Sequence, residues 1–325
     1  MDSHKIQDVH VGVHEVQRFA GVLGDSYITD FLARADEIRK LLNGRTVWNV
    51  NSTAAGGGVA EMLQSLLAYT RGLGIDTRWV VISGTPEFYK LTKRIHHAIH
   101  GQRGDGSPLD EAQRAVYEQV LRENAAELCP RVRAGDIVLL HDPQPAGMAQ
   151  ALMDQGAVVL WRCHIGEDEP SEESERAWNF LRPYLEKVPA LVFSRQAYVP
   201  AWCDPKRVAI VPPSIDAFSP KNLELDDGFV RSTLVHTGLV AGPIPPKQSF
   251  RFIRTDGTPG RVERTAEVIR SGEPPHWETP LIVQVSRWDP LKDMKGVMLG
   301  FAKLLERSPD TDAALVLAGP DVRSV

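Results

Sequence analysis

Trp48-Asn49-Val50-Asn51-Ser52-Thr53-Ala54-Ala55-Gly56-Gly57-Gly58-Val59-Ala60-Glu61 is the stretch that decides how this chain folds. A short, mostly apolar strand from Thr46 to Val50 runs into a loop holding three consecutive glycines. The loop feeds a helix whose apolar positions Val59, Met62, Leu63, Leu66 and Leu67 recur at helical spacing. Adjacent glycines let a backbone approach a ligand closely and reach positive φ at little steric cost. The helix behind them aims its unpaired N–H groups and positive dipole end at the occupant of the loop, so a phosphate-bearing ligand is the natural one. A glycine-rich turn that merely joins strand to helix is the plainer alternative. The glycines lack G-x-G-x-x-G spacing and no Gly-Lys-Ser/Thr follows, so the stretch is neither a dinucleotide fingerprint nor a P-loop.

On either side of this unit, strands and helices alternate. Helical spacing covers 26–42, strands are expected at 46–51, 77–82, 136–140, 157–161, 190–193 and 207–211, and helices at 58–72, 87–99, 109–128, 145–154 and 171–187. The opening residues read as irregular. The strands are short continuous apolar runs, as expected of parallel strands buried on both faces. Such alternation predicts a doubly wound parallel α/β sheet. From about 222 to 280 glycine, proline and charge break the pattern, which reads as linker and irregular insertion with a helix near 260–270. A further β-α-β unit begins at 281, with strand 281–286, helix 294–307 and strand 313–318. One such unit has too little apolar surface to cover its own sheet, so the second domain reads as incomplete.

Composition narrows the class. A length of 325 residues with 42% hydrophobic content is enough for two cores. The net charge of −5 argues against a nucleic-acid-binding surface as the main business of the chain. Cys129, Cys163 and Cys203 are widely spaced and odd in number, which suits a reducing compartment and forms no zinc motif. No apolar run has the length of a membrane span, and the first residues lack signal-peptide character, so the expected location is the cytoplasm.

Five motifs follow one another in order: Asn51-Ser52-Thr53 with Gly56-Gly57-Gly58-Val59-Ala60-Glu61; His141-Asp142-Pro143-Gln144-Pro145; Trp161-Arg162-Cys163-His164-Ile165; Val211-Pro212-Pro213-Ser214-Ile215-Asp216; and Gln284-Val285-Ser286-Arg287-Trp288-Asp289-Pro290-Leu291-Lys292-Asp293. Together they resemble retaining glycosyltransferases of the GT-B fold, in the fourth sequence family, and most of all its nucleotide-sugar-dependent trehalose synthases. The resemblance covers roughly residues 26–222 and 281–320. It implies two Rossmann-like domains facing a cleft, the second one incomplete here: an acceptor-side domain over 1–222, a linker or insertion over 223–280, and the start of a nucleotide-sugar-binding domain over 281–325. The implied reaction is transfer of glucose from a nucleoside diphosphate glucose to glucose, giving α,α-trehalose. The implied partners are a sugar and a sugar nucleotide, with no cofactor, no metal, no nucleic acid and no membrane; a homodimer is compatible with it. The family also carries a pair of glutamates late in its second domain that hold the donor ribose, and this sequence stops before that region.

Roles carry over residue by residue. Gly56, Gly57 and Gly58 match the loop near the donor diphosphate that leaves room for the acceptor. Arg287 and Lys292 match the pair that neutralises the diphosphate as the nucleotide departs; Arg offers a planar fork and Lys a compact charge. A solvated loop is the plainer reading of both. His164 matches the family histidine that contacts the transferred sugar. His141 and Asp142 end the preceding strand at the same sheet edge, where open α/β sheets bind ligands, although a histidine at a strand end is often only a hydrogen-bonding group. His96 and His97 read as structural or acceptor-adjacent. The acids Glu167, Asp168, Glu169, Glu172 and Glu173 read mostly as first-turn helix residues favoured by the dipole, and no carboxylate pair of the glycosidase kind is evident. Competing readings are a trehalose phosphorylase, a transferase to another acceptor, and a non-catalytic sugar-binding or interaction module. A Rossmann oxidoreductase fares poorly on glycine spacing.

Overall fold

The computed structural model describes residues 6–219, 222–246, 248–254, 258–263 and 267–319. Two compact units divide the chain, Met1–Asp216 and Ala217–Val325.

The first unit is built on one seven-stranded sheet: β1 (Gln7–Val9), β2 (Val47–Asn51), β3 (Thr77–Val81), β4 (Ile137–His141), β5 (Val158–Cys163), β6 (Ala190–Phe193) and β7 (Val208–Ile210), in the order β1-β3-β2-β4-β5-β6-β7. From β3 to β7 every pairing is parallel. The connecting helices are α1 (Ala20–Leu23), α2 (Asp25–Leu42), α3 (Gly58–Gly72), α4 (Pro86–Ile99), α5 (Glu111–Leu128), α6 (Ala149–Asp154) and α7 (Glu172–Leu185). The alternation expected from sequence is therefore the observed architecture, with two corrections. The opening is not wholly irregular: β1 adds an antiparallel edge to the sheet, pairing Gln7 with Val81 and Val9 with Trp79. Three residues are too few to show a period, and this strand is held by tertiary contacts, the Ile6 N–H donating to Glu127 at 2.9 Å and Arg131 pairing with Asp8. The sheet is thus mixed rather than purely parallel.

Local chemistry explains the helix starts. Thr85 caps α4 by accepting from the Phe88 N–H, with Pro86 in the first turn, and Asp110 caps α5 by accepting from the Gln113 N–H. Ser171 and Ser174 form a reciprocal capping box on α7. Helix α3 differs, since its N-cap is Gly57 and no side chain caps it. At the opposite end of β2, Asp136 accepts from the Thr46 N–H at 3.0 Å and from Trp48 Nε1 at 3.3 Å, latching the start of β2 to β4. Trp48, Val50, Val138, Leu140, Val159, Trp161, Leu191 and Phe193 fill the sheet's interior positions, all almost wholly buried.

The second unit contains α8 (Asp227–His236), a hairpin of β8 (Arg251–Ile253) and β9 (Pro259–Arg261), then β10 (Leu281–Val285), α9 (Met294–Arg307) and β11 (Ala314–Ala318), with β10 and β11 parallel. The helix expected near 260–270 is not there: 259–261 is strand, 262–263 and 267–270 are irregular, and 264–266 lie outside the described residues. Gly260 permits the hairpin, because a Cβ there would sit 2.6 Å from the Phe252 ring. Helix α8 went unread because it is short, carries Gly228, and is announced only by its Asp226 cap.

Burial separates the units. Among the described residues, every buried apolar side chain but Val240 and Phe250 belongs to the first unit. Val283, Val285, Trp288 and Leu299 are 53%, 76%, 47% and 55% exposed. Stability follows buried apolar area. Limited proteolysis of this chain should therefore cut the second unit first and leave a resistant core ending near residue 220; a single fragment resistant through residue 319 would refute this.

Candidate active site

The adjacent strands β2, β4 and β5 end at one edge of the sheet, and each delivers part of a polar cluster there. After β2 comes the glycine loop, β4 ends on His141 and leads to Asp142, and β5 ends on Cys163 and leads to His164. Carboxyl ends of parallel strands are the usual ligand edge of open α/β sheets.

The two histidines form a stacked pair, ring centroids 5.3 Å apart, with His141 Nδ1 3.0 Å from His164 Nε2. The other nitrogen of His141 lies 3.0 Å from Asn49 Oδ1. Asn49 and His141 are both buried, at 3% and 1% exposure, while His164 is partly open. With the Asn49 oxygen facing it, His141 Nε2–H is the donor, so His141 Nδ1 accepts from His164 Nε2–H. Nδ1 of His164 is then left with a lone pair. Both ring nitrogens of His141 are used inside the protein, so His141 orients His164 instead of presenting a nitrogen of its own. Asn49 completes this chain, yet sequence reading passed over it as one residue of an apolar strand. Its signal was a polar side chain at a position that strand burial places in the core. Its Nδ2 is buried with no hydrogen-bond partner.

Asp142 is 7% exposed and holds a left-handed backbone, φ 65°. Its Oδ1 accepts from the His164 N–H at 2.8 Å, and its carbonyl accepts from Trp161 Nε1 at 2.8 Å. Strand β5 also supplies Arg162, 8% exposed and with Nε unpartnered, a cation that sequence reading quoted within a motif but gave no role. Burial, reinforced by Arg162, lowers the His164 imidazole to about 3, and burial drives His141 well below its usual range, with His164 and Arg162 adding to the effect. Burial raises the Asp142 carboxyl to about 7 against the pull of the His164 N–H and Arg162. At neutral pH both imidazoles are uncharged.

These shifts set opposite pH windows. His164, depressed from 6.5, contributes stability that is present above about pH 6.5 and is lost as pH falls towards about 3. Asp142, raised from 3.8, contributes stability that is present below its unfolded value and is lost as pH rises through about 7. Asp142→Asn keeps an acceptor for the His164 N–H and tolerates the left-handed backbone, but it cannot ionise. Its melting temperature relative to wild type should rise by several degrees between pH 5 and pH 8.5. A difference that is flat or falls with pH would remove the raised carboxyl.

In the glycine loop, Gly56 has φ +80°, while Gly57 has φ −154° and Gly58 begins α3. A Cβ built on any of the three meets no atom within 4 Å, so the loop borders open space. Asn51 Nδ2 donates to the Thr53 carbonyl at 2.8 Å and Asn51 Oδ1 accepts from Trp79 Nε1 at 2.8 Å, which fixes the chain as it leaves β2.

In the second unit, Arg287 and Lys292 lie on the loop from β10 to α9. Arg287 is 55% exposed and its guanidinium is 3.7 Å from Asp289. Lys292 is exposed on a single 3-10 turn; its N–H donates to the Asp289 carbonyl at 2.8 Å, and its carbonyl accepts from Gln284 Nε2 at 2.6 Å. The loop backbone is thus braced while both cationic heads face outward. His96 and His97 lie on α4, ring centroids 6.1 Å apart, and no group of three or more metal-ligating side chains occurs among the described residues. No helix among those residues is long and apolar enough to cross a membrane.

Known proteins share sequence and fold with this chain. Residues 49–200 match a family model described as the N-terminal domain of trehalose synthase. A trehalose synthase of Pyrococcus horikoshii is 31% identical over 313 residues, 96% of this chain and 64% of the relative. The chain therefore spans just under two thirds of that relative's length. A trehalose phosphorylase of Pleurotus pulmonarius is 22% identical over 92% of this chain and 39% of its own. Among solved structures, a UDP-forming α,α-trehalose-phosphate synthase of Burkholderia xenovorans in complex with glucose-6-phosphate superposes with TM-score 0.55 and 18% identity, over 86% of this chain and 67% of that one. That likeness concerns the fold. Residues 49–200 thus resemble the N-terminal domain of trehalose synthase, and the chain shares the α/β GT-B fold of the trehalose-phosphate synthase structure.

Proposed function

We propose that this chain belongs to a retaining glucosyltransferase that moves glucose from a nucleoside diphosphate glucose to glucose, forming α,α-trehalose. The observation that carries the reading is the convergence at one sheet edge of an uncapped helix N-terminus behind three glycines, a neutral His164 and the buried Asp142. The glycines leave space for a ligand beside N–H groups suited to phosphate. His164 Nδ1 would accept from a hydroxyl of the transferred sugar, held in that state by the line from Asn49 through His141. Asp142, poised near neutrality, would hydrogen-bond a sugar hydroxyl on the same side.

In the transfer, the bond from the sugar's anomeric carbon to phosphate oxygen breaks and a bond to the acceptor oxygen forms on the same face. The acceptor's proton passes to the departing diphosphate, and nothing is oxidised or reduced. Arg287 and Lys292 would oppose the charge growing on that diphosphate, work that a divalent metal does in other transferases, so we propose a metal-independent reaction. Three unpaired cysteines suit a reducing, cytoplasmic location.

The phosphorylase reading remains the second candidate, because a phosphorylase matches 92% of this chain and the same Arg and Lys would hold inorganic phosphate. Incubation with nucleoside diphosphate glucose and glucose, followed by chromatographic detection of trehalose, tests the first reading. Trehalose breakdown that needs inorganic phosphate would replace it with the second, and sugar binding without turnover would reduce the chain to a binding module.

A further inference from the structure

A cavity of about 310 Å³ opens in the first unit, between the start of α7, the end of α4 and the loop after β6. It contains none of the residues of the candidate active site, although Gly166 and Glu167 in its wall follow His164 by two and three positions. Its size is at the lower end of small-molecule sites, roughly 300–1,000 Å³. Three aromatic side chains line it. Trp178 is fixed from behind by edge-on contacts with Trp161 and Phe193, ring centroids 6.2 and 6.4 Å away. Tyr198 lies so close against Gly166 that a Cβ there would be 2.3 Å from its ring. Trp202 completes the set, and its Nε1 is buried with no hydrogen-bond partner.

An indole N–H can only donate, and leaving one buried without an acceptor is unfavourable. The polar side chains lining the same cavity offer mainly acceptors. Glu175 and Asn179, one turn apart on exposed positions of α7, bring a carboxylate and an amide, Glu167 adds a second carboxylate, and no lysine or arginine lines the cavity. Glu167 Oε1 is already committed to the Ser171 N–H and hydroxyl, at 2.9 and 2.6 Å. Arg195, whose guanidinium lies 5.7 Å from the Tyr198 ring centroid, is paired with Asp168 at 2.7 Å, so the two lining carboxylates still disfavour phosphate and other anions. Aromatic faces with a carboxylate, an amide and one N–H donor match a ring that has apolar C–H faces and a rim of hydroxyls.

We propose that this cavity binds a neutral sugar, a hexose or one ring of a disaccharide, at a site separate from the reaction centre. Trp178 and Tyr198 stack on the ring, Trp202 Nε1 donates to a hydroxyl oxygen, and Glu175 and Asn179 take the vicinal hydroxyls. An occupant there would press on the loop that carries His164, through Gly166 and Tyr198.

The test is saturation-transfer NMR on the chain with D-glucose, α,α-trehalose and glucose 6-phosphate as probes. It is run on wild type, on His164→Gln, on Trp202→Phe, and on the pair Glu175→Gln with Asn179→Ala, with circular dichroism to confirm folding. Both neutral sugars should give signal in wild type and in His164→Gln. Affinity should fall at least about tenfold in the Glu175 and Asn179 pair, where exposed side chains change without touching the core, and severalfold in Trp202→Phe, which keeps the ring and loses the donor. Signal that vanishes with His164→Gln, survives unchanged in the paired variant, or is as strong for glucose 6-phosphate overturns the proposal. Because turnover does not enter the readout, the result stands apart from that of the transfer assay.

Discussion

Arg287→Ala and Lys292→Ala, each made in the enzyme at the full length of its relatives, are expected to cut turnover of nucleoside diphosphate glucose by about 10²–10³. The melting temperature should stay close to wild type. The separation of the two effects follows from where the side chains are. Arg287 is more than half exposed and its ion pair with Asp289 spans 3.7 Å. Exposed pairs of this kind are worth about 0–1 kcal/mol, so little stability is at stake. The loop's shape depends on main-chain bonds and on Gln284 and Asp289, none of which needs the arginine or lysine head group. Catalysis is another matter, because a charge facing a departing diphosphate strengthens as the bond breaks and so lowers the barrier more than it tightens substrate. Lys303→Ala, an exposed cation on α9 away from this loop, is the control. Turnover within about twofold of the control in both variants would remove the diphosphate role and with it the main support for nucleotide-sugar chemistry.

What could be read from the sequence, and what could not, follows the range of the forces involved. Elements set by local pattern were legible: α3 spans 58–72 and α9 spans 294–307, as expected, because apolar spacing and breakers at their ends act within a few residues. Strand β5 was placed but read two residues short, since Arg162 interrupts its apolar run while tertiary burial carries the strand through to Cys163. Strand β1 was missed because its edge pairing is fixed by residues far along the chain, Trp79 to Val81. In the site, the strand-end histidines were visible as a motif, but their division of labour was not. That His141 turns inward to Asn49, leaving His164 as the outward group, depends on a register that pairs β2 with β4 and β4 with β5, and no spacing within one segment records it. The exposed placement of Arg287 and Lys292 agrees with what residue type alone would suggest, so there the structure adds the bracing of the loop.

Gly57→Val is expected to abolish ligand engagement at the glycine loop while leaving the first unit folded. The two halves of that expectation rest on different observations. Folding should survive because Gly57 has an extended backbone, φ −154°, which β-branched residues adopt readily, and because a Cβ there meets nothing within 4 Å. Gly56 is the contrasting neighbour: at φ +80° a side chain is strained whatever space surrounds it, so Gly56→Val should lower the melting temperature as well. The open space is the reason Gly57→Val should matter for binding. Valine would project its methyl groups into the volume beside the first N–H groups of α3, which α4, α5, α7, α8 and α9 do not offer because a side chain caps each of them. A phosphate that needs those groups would be held off by the width of a side chain, and a hydrogen bond stretched that far contributes nothing. Calorimetry with a nucleoside diphosphate glucose, alongside thermal melts followed by circular dichroism, reads both halves. Wild-type affinity in Gly57→Val would show that the glycines serve only the turn, whereas lost affinity in Gly57→Val with an unchanged melt, set against a lowered melt in Gly56→Val, assigns Gly56 to backbone shape and Gly57 to the ligand.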